Sequence, residues 1–348
     1  MLRLSEASAD RSEIMNVFPP YSELSPKARL FFESWLLSKD PPDHTRIRKL
    51  VSRAFTPRSM VALEPRVAEI AASLIADTRS LDSFDIVASF GDKFPIYVIG
   101  ELLGLPEADW PWLKEASDEI AKFVDPVIGF DPSAMDTMAT EVSDYFSRQI
   151  AKSRDNPADD LIGRLVASEE DGDTLTEAEL VSLLALVMGA GHETTTNFFG
   201  NSLVALHDNS SQRSLLVLQP ELIENAVEEL LRFDAPVQLT SRSMLAHAIV
   251  GGQTLSKGDD VNILLGAANR DERRFIEANT LKLDRDDPRP LSFGHGIHHC
   301  VGAALARMER RVALPMLLAD LGDYTIDEVE WRRSFTLRGP KRLIVRRG

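Results

Sequence analysis

Apolar residues recur along most of the chain at spacings of three and four, the period of an amphipathic α-helix. The segment MVALEPRVAEIAASLIADT, which starts at Met60, has this pattern. The same periodicity predicts the end of a helix at 145–154 and further helices at 177–207, Ile223–Phe233 and Ala303–Leu321. The pattern therefore predicts a mainly helical fold.

The helix predicted at 177–207 has the clearest start signal. Thr176 is followed three residues later by Glu179, the capping-box pattern in which each side chain bonds the backbone N–H of the other residue. The middle of the segment is mostly apolar, so we expect this helix to cross the core. Its run AGHETT at 190–195 is unusual, because glycine and threonine weaken a helix interior and a threonine hydroxyl can bend it.

Strand signals are fewer and lie late in the chain, at 248–255, 260–266 and 341–347. Glycines between the first two segments favour turns. The predicted fold class is α+β, a mainly α-helical domain with a small β-sheet. No break in composition marks a boundary, so we expect one domain over residues 1–348.

Composition narrows the classes of function. The formal net charge of −15 over 348 residues argues against general nucleic-acid binding, which needs a basic surface. A single cysteine excludes an internal disulfide and suits a reducing compartment. The first residues lack the apolar core of a signal peptide, and the longest apolar run, 181–190, is too short to span a bilayer. We expect a soluble, cytoplasmic protein.

The only cysteine, Cys300, lies in the stretch FGHGIHHCVG, directly before the last predicted helix. The helix dipole and the free N–H groups of that helix favour a thiolate over a thiol. Gly296 and Gly302 allow a tight turn and the close approach of a flat group. Phe293 is placed to shield the sulfur from water.

Three interpretations of this stretch compete. A lone thiol is most often a buried and inert side chain. A zinc site would use His295, His298, His299 and Cys300, but their spacing is compressed and no second ligand pair occurs elsewhere. The third interpretation is an axial thiolate for haem iron.

FGHGIHHCVG, followed by AALARMERR, resembles the haem-binding loop and following helix of the cytochrome P-450 superfamily. The resemblance extends along nearly the whole chain and implies the fold of that family, with a long helix crossing over haem b. It implies that Cys300 is the proximal iron ligand, with Phe293, Gly296 and Gly302 shaping the loop. Members normally have a further helix and strands before the point where this sequence starts.

AGHETT is similar to the oxygen-binding groove of the same family. The resemblance implies that Ala190 and Gly191 lie over the haem and that an acid–alcohol pair, Glu193 and Thr194, manages protons. In isolation the run is equally compatible with a packing contact between two helices. A zinc-protease motif is excluded, because Thr196 stands where its second histidine would be.

Glu229 and Arg232 face the same side of a predicted helix, a spacing that alone usually marks a surface contact. Their place about seventy residues before the cysteine resembles the ExxR pair of the family. There the pair is buried and is joined by an arginine from a later loop. Arg285, in LKLDR, matches that arginine, although Leu281 and Lys282 depart from the family pattern.

DPPDHTRIRKL begins at Asp40 and predicts a helix after the two prolines. His44 and Arg48 lie on one face of that helix, which by itself is compatible with a basic surface. The resemblance implies that they bind the haem propionates, opposite Arg242 and His298. A dianionic cofactor in a core needs several such donors.

The implied activity is that of a monooxygenase, which inserts one atom of dioxygen into a small, mainly hydrophobic organic substrate. Candidate pocket residues are Leu186, Val237, Leu239, Thr240 and Phe335. A peroxide-driven peroxygenase and a non-catalytic haem protein stay as alternatives, and a zinc-binding regulator is a further one.

The chain has no flavin or iron–sulfur signature, so the resemblance implies a separate ferredoxin or flavodoxin with its reductase. We expect the donor to dock on a basic proximal face built from Arg48, Lys49, Arg53, Arg307, Arg310 and Arg311.

Overall fold

The computed structural model describes residues 1–10, 12, 21–124, 129–170 and 172–348, and most of them are helical. The α-helices are α1 Pro26–Glu33, α2 Asp43–Ala54, α3 Pro57–Thr78, α4 Phe94–Leu103, α5 Trp110–Val124, α6 Pro132–Asp155, α7 Leu161–Val166, α8 Glu177–Asp208, α9 Ser210–Leu218, α10 Ile223–Phe233, α11 Leu265–Ala268 and α12 Ala303–Leu321. Within these ranges, no helix combines the length and the apolar character needed to cross a membrane.

The helices predicted from periodicity are confirmed. α10 and α12 have the predicted bounds, and the segment 145–154 is the end of α6. The helix predicted from Met60 starts three residues earlier, at Pro57. Thr56 caps it, because its hydroxyl accepts the Ser59 N–H and proline tolerates the first helical position.

Helix α8 is the central element of the fold. Both bonds of the predicted capping box between Thr176 and Glu179 are present. The helix packs against α4, α5 and α6, and most of its side chains are buried. In the middle of the helix, Leu186, Ala190 and Thr194, spaced by four residues, are half-buried or exposed, as are the adjacent Val187 and Gly191. The first three form what we call the open stripe.

The strands are β1 Ala7–Ser8, β2 Ser83–Asp85, β3 Glu169–Glu170, β4 Asp173–Thr174, β5 Leu239–Met244, β6 Ala248–Val250, β7 Gln253–Leu255, β8 Asp260–Leu264, β9 Thr325–Trp331 and β10 Pro340–Arg346. Two three-stranded sheets have the orders β1-β5-β8 and β2-β10-β9, all antiparallel, and β3-β4 and β6-β7 form hairpins.

The predicted strand at 248–255 is a hairpin. Gly251 and Gly252 have φ angles of 57° and 80°, the left-handed region that glycine adopts without strain. The predicted strand at 260–266 ends at Leu264, where α11 begins. The first strand, β1, pairs with β5 and so carries the first residues of the chain along the cysteine loop.

Candidate functional site

The cysteine loop is a tight turn that leads into α12. The Cys300 N–H donates to the Phe293 carbonyl at 2.9 Å. Gly296 has a φ of 77°, and a Cβ there would lie 2.4 Å from the Leu2 carbonyl oxygen, so only glycine fits. Gly294, which the sequence analysis did not single out, also has a left-handed φ, of 70°.

Gly302 does not make the tight turn that was expected of it. Its φ of −83° is ordinary, and a Cβ would meet only the Cys300 sulfur at 4.0 Å. Gly302 is the residue before the first turn of α12, and it leaves room beside the sulfur. Gly296 therefore provides the tight turn, whereas Gly302 provides space at the thiol.

The Cys300 side chain is exposed, yet desolvation is the largest influence on its pKa and raises it. Both observations hold if the thiol faces a hollow inside the protein. The Gly302 N–H and the charges of Arg310, Arg48 and Arg307 act in the opposite direction. The groups expected to favour a thiolate are thus present, and burial outweighs them in its effect on the thiol pKa.

His44 and His298 come together, with ring centroids 4.3 Å apart. His44 is 2% exposed, and neither of its ring nitrogens has a hydrogen-bond partner; the same holds for the buried Nε2 of His298. Burial lowers the pKa of His298 to about 4, with further contributions from His44, Arg242 and Arg48. The structure therefore brings the four predicted propionate-binding residues into one cluster.

This cluster fits an anionic group. Buried polar nitrogens without partners cost free energy unless something accepts from them. Arg242 is 7% exposed and donates to the Thr240 hydroxyl and the Ser241 carbonyl, at 3.3 and 2.7 Å. Haem carries a pair of carboxylates. The cluster suits them, because it contains Arg48, Arg242 and the unpartnered ring nitrogens of His44 and His298.

Thr194 lies on the open stripe of α8, and its hydroxyl donates to the Ala190 carbonyl at 2.9 Å. This is the backward bond of a threonine hydroxyl expected from the sequence, and the helix stays continuous through this point. A Cβ on Gly191 would lie 2.9 Å from Ile99 of α4. The close approach of these two helices therefore favours a glycine here.

Glu193 is only 4% exposed and turns toward Arg332, whose Nη1 lies 2.9 Å from its Oε1. Its Oε2 is buried without a partner, and burial raises the pKa of its carboxyl. Arg332 also lies 3.7 Å from the Asp92 carboxylate. The predicted acid–alcohol pair is therefore split between a charged network and the open stripe.

His192 belongs to the same network and was missed from the sequence. It is 1% exposed, with Nδ1 at 3.0 Å from the Ser117 hydroxyl and Nε2 at 3.0 Å from the Asp92 carbonyl. Burial lowers its pKa to about 4. A polar residue in an apolar stretch of a core helix is the only signal that could have found it.

Glu229 and Arg232 form a fully buried ion pair, with nitrogen–oxygen distances of 2.6 and 2.8 Å. Arg285 joins it at 2.9 Å, and the Lys282 N–H also donates to Glu229. The structure thus places the three residues as the family resemblance implied. The changed residues at 281 and 282 do not disturb this arrangement.

Asn269, another residue missed from the sequence, links this ion pair to the cysteine loop. Its carbonyl accepts from Arg232 at 2.9 Å. Its side chain accepts the Leu291 N–H and donates to the Ser292 hydroxyl, at 2.7 and 2.9 Å. The buried ion pair therefore supports the start of the loop that carries Cys300.

The predicted basic face is smaller than expected. Arg48, Lys49 and Arg53 line an open groove of about 450 Å³, together with His44, Thr45, Ser52 and Ile297. Arg310 does not belong to it, because its side chain is buried in the core. We call the remaining surface the basic groove.

The two other predicted cations of that face are already engaged. Arg307 pairs with Glu228 at 2.5 Å and lies over the Phe293 ring, with its guanidinium carbon 4.4 Å from the centroid. Arg311 pairs with Glu64 and Glu224. Neither adds an uncompensated charge to the basic groove.

The predicted pocket residues lie on three elements. Leu186 is on the open stripe, and Leu239 and Thr240 begin β5. Val237 bridges to Leu337, which brings it near the loop of Phe335. Phe335 itself is 69% exposed. For the zinc interpretation, the described ranges contain no group of three histidine, cysteine or acidic residues that could hold a metal.

Comparison with known sequences identifies the family. A family model described as Cytochrome P450 matches residues 217–322. Vitamin D(3) 25-hydroxylase of Pseudonocardia autotrophica is 40% identical over 320 residues, which are 90% of this chain and 78% of that protein. Polyketide biosynthesis cytochrome P450 PksS of Bacillus subtilis is 38% identical over the same shares of the two chains.

Solved structures agree with the sequence matches. P450BioI, in complex with an acyl carrier protein ligated to hexadec-9Z-enoic acid, superposes with a TM-score of 0.92 at 31% identity, over 100% of this chain and 88% of that chain. PksS superposes with a TM-score of 0.90 at 35% identity, over 99% and 87%. With 40% identity to a relative over 90% of its length, the chain belongs to the cytochrome P450 family of haem-dependent monooxygenases.

Proposed function

We propose that Cys300 is the axial ligand of haem b and that the chain inserts one oxygen atom from dioxygen into a mainly hydrophobic organic substrate. One observation carries the proposal: in the loop of the only thiol, His298 packs against His44 with ring centroids 4.3 Å apart, their buried ring nitrogens include three without a partner, and Arg48 lines the same groove as His44. A single group that takes a thiolate as ligand and carries two carboxylates suits this arrangement. The bound haem supplies the binding and reductive activation of dioxygen.

The protein side of this function falls to two sets of residues. His44, Arg48, Arg242 and His298 bind the propionates, and the unpartnered histidine nitrogens gain acceptors when they do so. Phe293 lies in the loop that carries the thiol and shields it from water. Together these residues would hold the cofactor in one orientation.

We assign proton handling to Thr194 and Glu193. The Thr194 hydroxyl has a lone pair for water and can turn from the Ala190 carbonyl toward the stripe. The Oε2 of Glu193 is buried without a partner, and burial raises the pKa of this carboxyl, which favours the protonated form that can donate a proton. Arg332 holds the other carboxylate oxygen in place.

We assign the substrate to the space bounded by Leu186, Ala190, Val237, Leu239 and Thr240, with Phe335 at its rim. Most of these side chains are apolar, so the pocket favours a hydrophobic molecule. Two relatives are named for a sterol-derived vitamin and for polyketide biosynthesis, which fits the same class. Ligands of that class should displace the haem absorption bands on titration, whereas small polar compounds should not.

Replacement of the only thiol tests the ligation directly. Cys300→Ser should eliminate the thiolate absorption band of the reduced carbon monoxide complex, while the purified protein keeps its helical content. A variant that retains that band would refute the assignment of Cys300. Turnover of the wild-type protein with a donor protein, with hydrogen peroxide and with neither then separates a monooxygenase from a peroxygenase and from a non-catalytic haem protein.

We further propose that a ferredoxin or flavodoxin, kept reduced by its reductase, docks at the basic groove. Lys49 is exposed there beside Arg48 and Arg53, against a net charge of −15 for the whole chain. Opposite charges should speed association, and salt should weaken it.

Charge reversal tests this docking site. Lys49→Glu should slow reduction by an acidic donor at low salt and reduce the dependence on ionic strength. Arg346→Glu, an exposed change on β10, is the control and should leave both unchanged. If Lys49→Glu behaves like the control, the donor docks elsewhere.

A further inference from the structure

Two consecutive charged residues of α12, Glu309 and Arg310, are buried, at 2% and 1% exposure. Adjacent positions on a helix point in different directions, and these two do not form an ion pair. Glu309 accepts a hydrogen bond from the Thr195 hydroxyl at 3.3 Å, and burial raises its pKa to about 8. Burial therefore favours the neutral form of Glu309, which weakens its compensation of the neighbouring positive charge.

Arg310 is surrounded by aromatic rings. Its guanidinium carbon lies 4.6 Å from the ring centroid of Phe198 and 5.5 Å from that of Phe293. Its Nε and Nη1 are buried and have no hydrogen-bond partner. Within the part of the chain that the structure describes, no carboxylate lies within 4 Å of this side chain.

Burial of a cation without a partner is unfavourable, because the cation loses its hydration. The two aromatic faces attract the cation but replace only part of that hydration. The charge of Arg310 therefore needs a further negative partner. Phe293 indicates that this partner is Cys300, because the ring of Phe293 contacts Arg310 and its carbonyl accepts the Cys300 N–H.

The effect of each charge on the pKa of the other group agrees with a position of Arg310 near Cys300. The charges that raise the pKa of Arg310 are, in order, those of Glu309, Cys300 and Glu228, and Arg310 in turn favours the anionic form of Cys300. Arg307 and Arg48 also act on the sulfur, but Arg307 has its own carboxylate and both are partly exposed to solvent, which screens their charge. Arg310 is the contributor that water screens least.

We infer that Arg310 is a buried counter-cation for the Cys300 thiolate, a positioning residue that sets how readily the ligated centre accepts an electron. The inference rests on the proposed ligation of haem by Cys300. A fixed positive charge stabilises the reduced, more negative state of the centre. Its removal should therefore make reduction less favourable without removing any ligand.

Three variants test this inference in the haem-loaded protein. Arg310→Met keeps the length of the side chain and removes the charge, Arg310→Lys keeps the charge, and Arg311→Met removes an exposed charge at the next position. Reduction potentials measured by spectroelectrochemistry, with small-molecule mediators, avoid any effect on donor docking. We expect a shift of roughly tenfold in the oxidised-to-reduced ratio toward the oxidised form for Arg310→Met, or about 59 mV for one electron.

The two control variants should remain close to the wild-type potential. A folded, haem-loaded Arg310→Met protein with the wild-type potential would overturn the inference. If Arg310→Met yields no haem-loaded protein while Arg310→Lys does, a positive charge is required at position 310, and this result supports the inference. If neither variant yields haem-loaded protein, the shape of the arginine side chain is required instead, and the inference is overturned. Failure of the ligation itself is distinct, because the wild-type protein would then lack the thiolate band.

Discussion

The hydrogen bond that Thr194 makes in the structure does not by itself reveal the role of this residue. Its hydroxyl is bonded to the Ala190 carbonyl, within the helix, yet the side chain stands on the open stripe. Thr194→Ala should keep haem content and substrate affinity close to wild type, because it removes no buried contact. It should consume reductant at a similar rate but give several-fold less hydroxylated product, with hydrogen peroxide in its place.

Product and hydrogen peroxide have to be measured together in that experiment. Thr194→Ser, which keeps the hydroxyl, is the matched control and should retain most of the coupling. Equal coupling in Thr194→Ala and the wild type would make Thr194 a packing residue, and proton delivery would then use another route.

Individual residue types were predictable where chemistry required them, but their partners were not. Cys300 follows from being the only thiol beside a helix start. The contact of Glu193 with Arg332 spans 139 positions, and no local pattern encodes such a pairing. The raised pKa of Cys300 likewise depends on how much protein surrounds the sulfur, which a sequence does not state.

At the scale of elements, the loop that carries Cys300 depends on a buried ion pair about seventy residues earlier. Glu229 contacts Arg232 and Arg285, and Asn269 connects that cluster to the loop. Glu229→Ala would leave two guanidinium groups buried without their carboxylate. We expect a loss of roughly 3–5 kcal/mol in the free energy of unfolding and little haem-loaded protein.

Glu228→Ala is a suitable comparison, because the neighbouring carboxylate pairs with the partly exposed Arg307. It should cost about 1 kcal/mol or less. Denaturant unfolding of both variants, with haem content measured in parallel, decides the matter. Similar stability for the two variants would show that burial of the Glu229 pair contributes little.

The bounds of α10 and α12 could be predicted because amphipathic periodicity and capping are local signals. The strand predicted at 260–266 was too long by two residues. There the chain turns into α11, and the Gly266 N–H bonds the Gln238 carbonyl, a distant contact that overrides the local preference for a strand.

At the scale of the whole molecule, the buried charged network around His192 makes stability depend on pH. In the unfolded chain His192 titrates with the ordinary histidine pKa of 6.5, whereas burial in the folded protein lowers its pKa to about 4. Above pH 6.5 both states hold it neutral, and its contribution is fully present. Between pH 6.5 and 4 the unfolded state alone binds the proton, so about 3 kcal/mol of stability is lost as the pH falls.

The facing charges partly oppose one another, because Asp118 raises the pKa of His192 while Lys114 and Arg332 lower it. The buried Asp92 and Glu193 titrate with the opposite sign, since burial raises the pKa of both carboxyls. The contribution of His192 is therefore measured as the difference in the free energy of unfolding between the wild type and a His192 variant. The stability gap between wild type and His192→Gln should change with pH from 6.5 to 4.

His207→Gln, at the exposed end of the same helix, provides the control for that series. Its stability should run parallel to the wild type over the whole range. A gap between wild type and His192→Gln that does not vary with pH would mean that His192 is protonated in the folded state, in contact with Asp118.

Cys300 is the only thiol among 348 residues, and its side chain is exposed. A thiol-specific reagent small enough to enter therefore has one target per molecule. Because the same sulfur cannot both bind iron and react, the number of thiols that titrate equals the number of chains without a ligated cofactor. A simple colorimetric assay thus measures occupancy, and its kinetics measure how often the ligand bond opens.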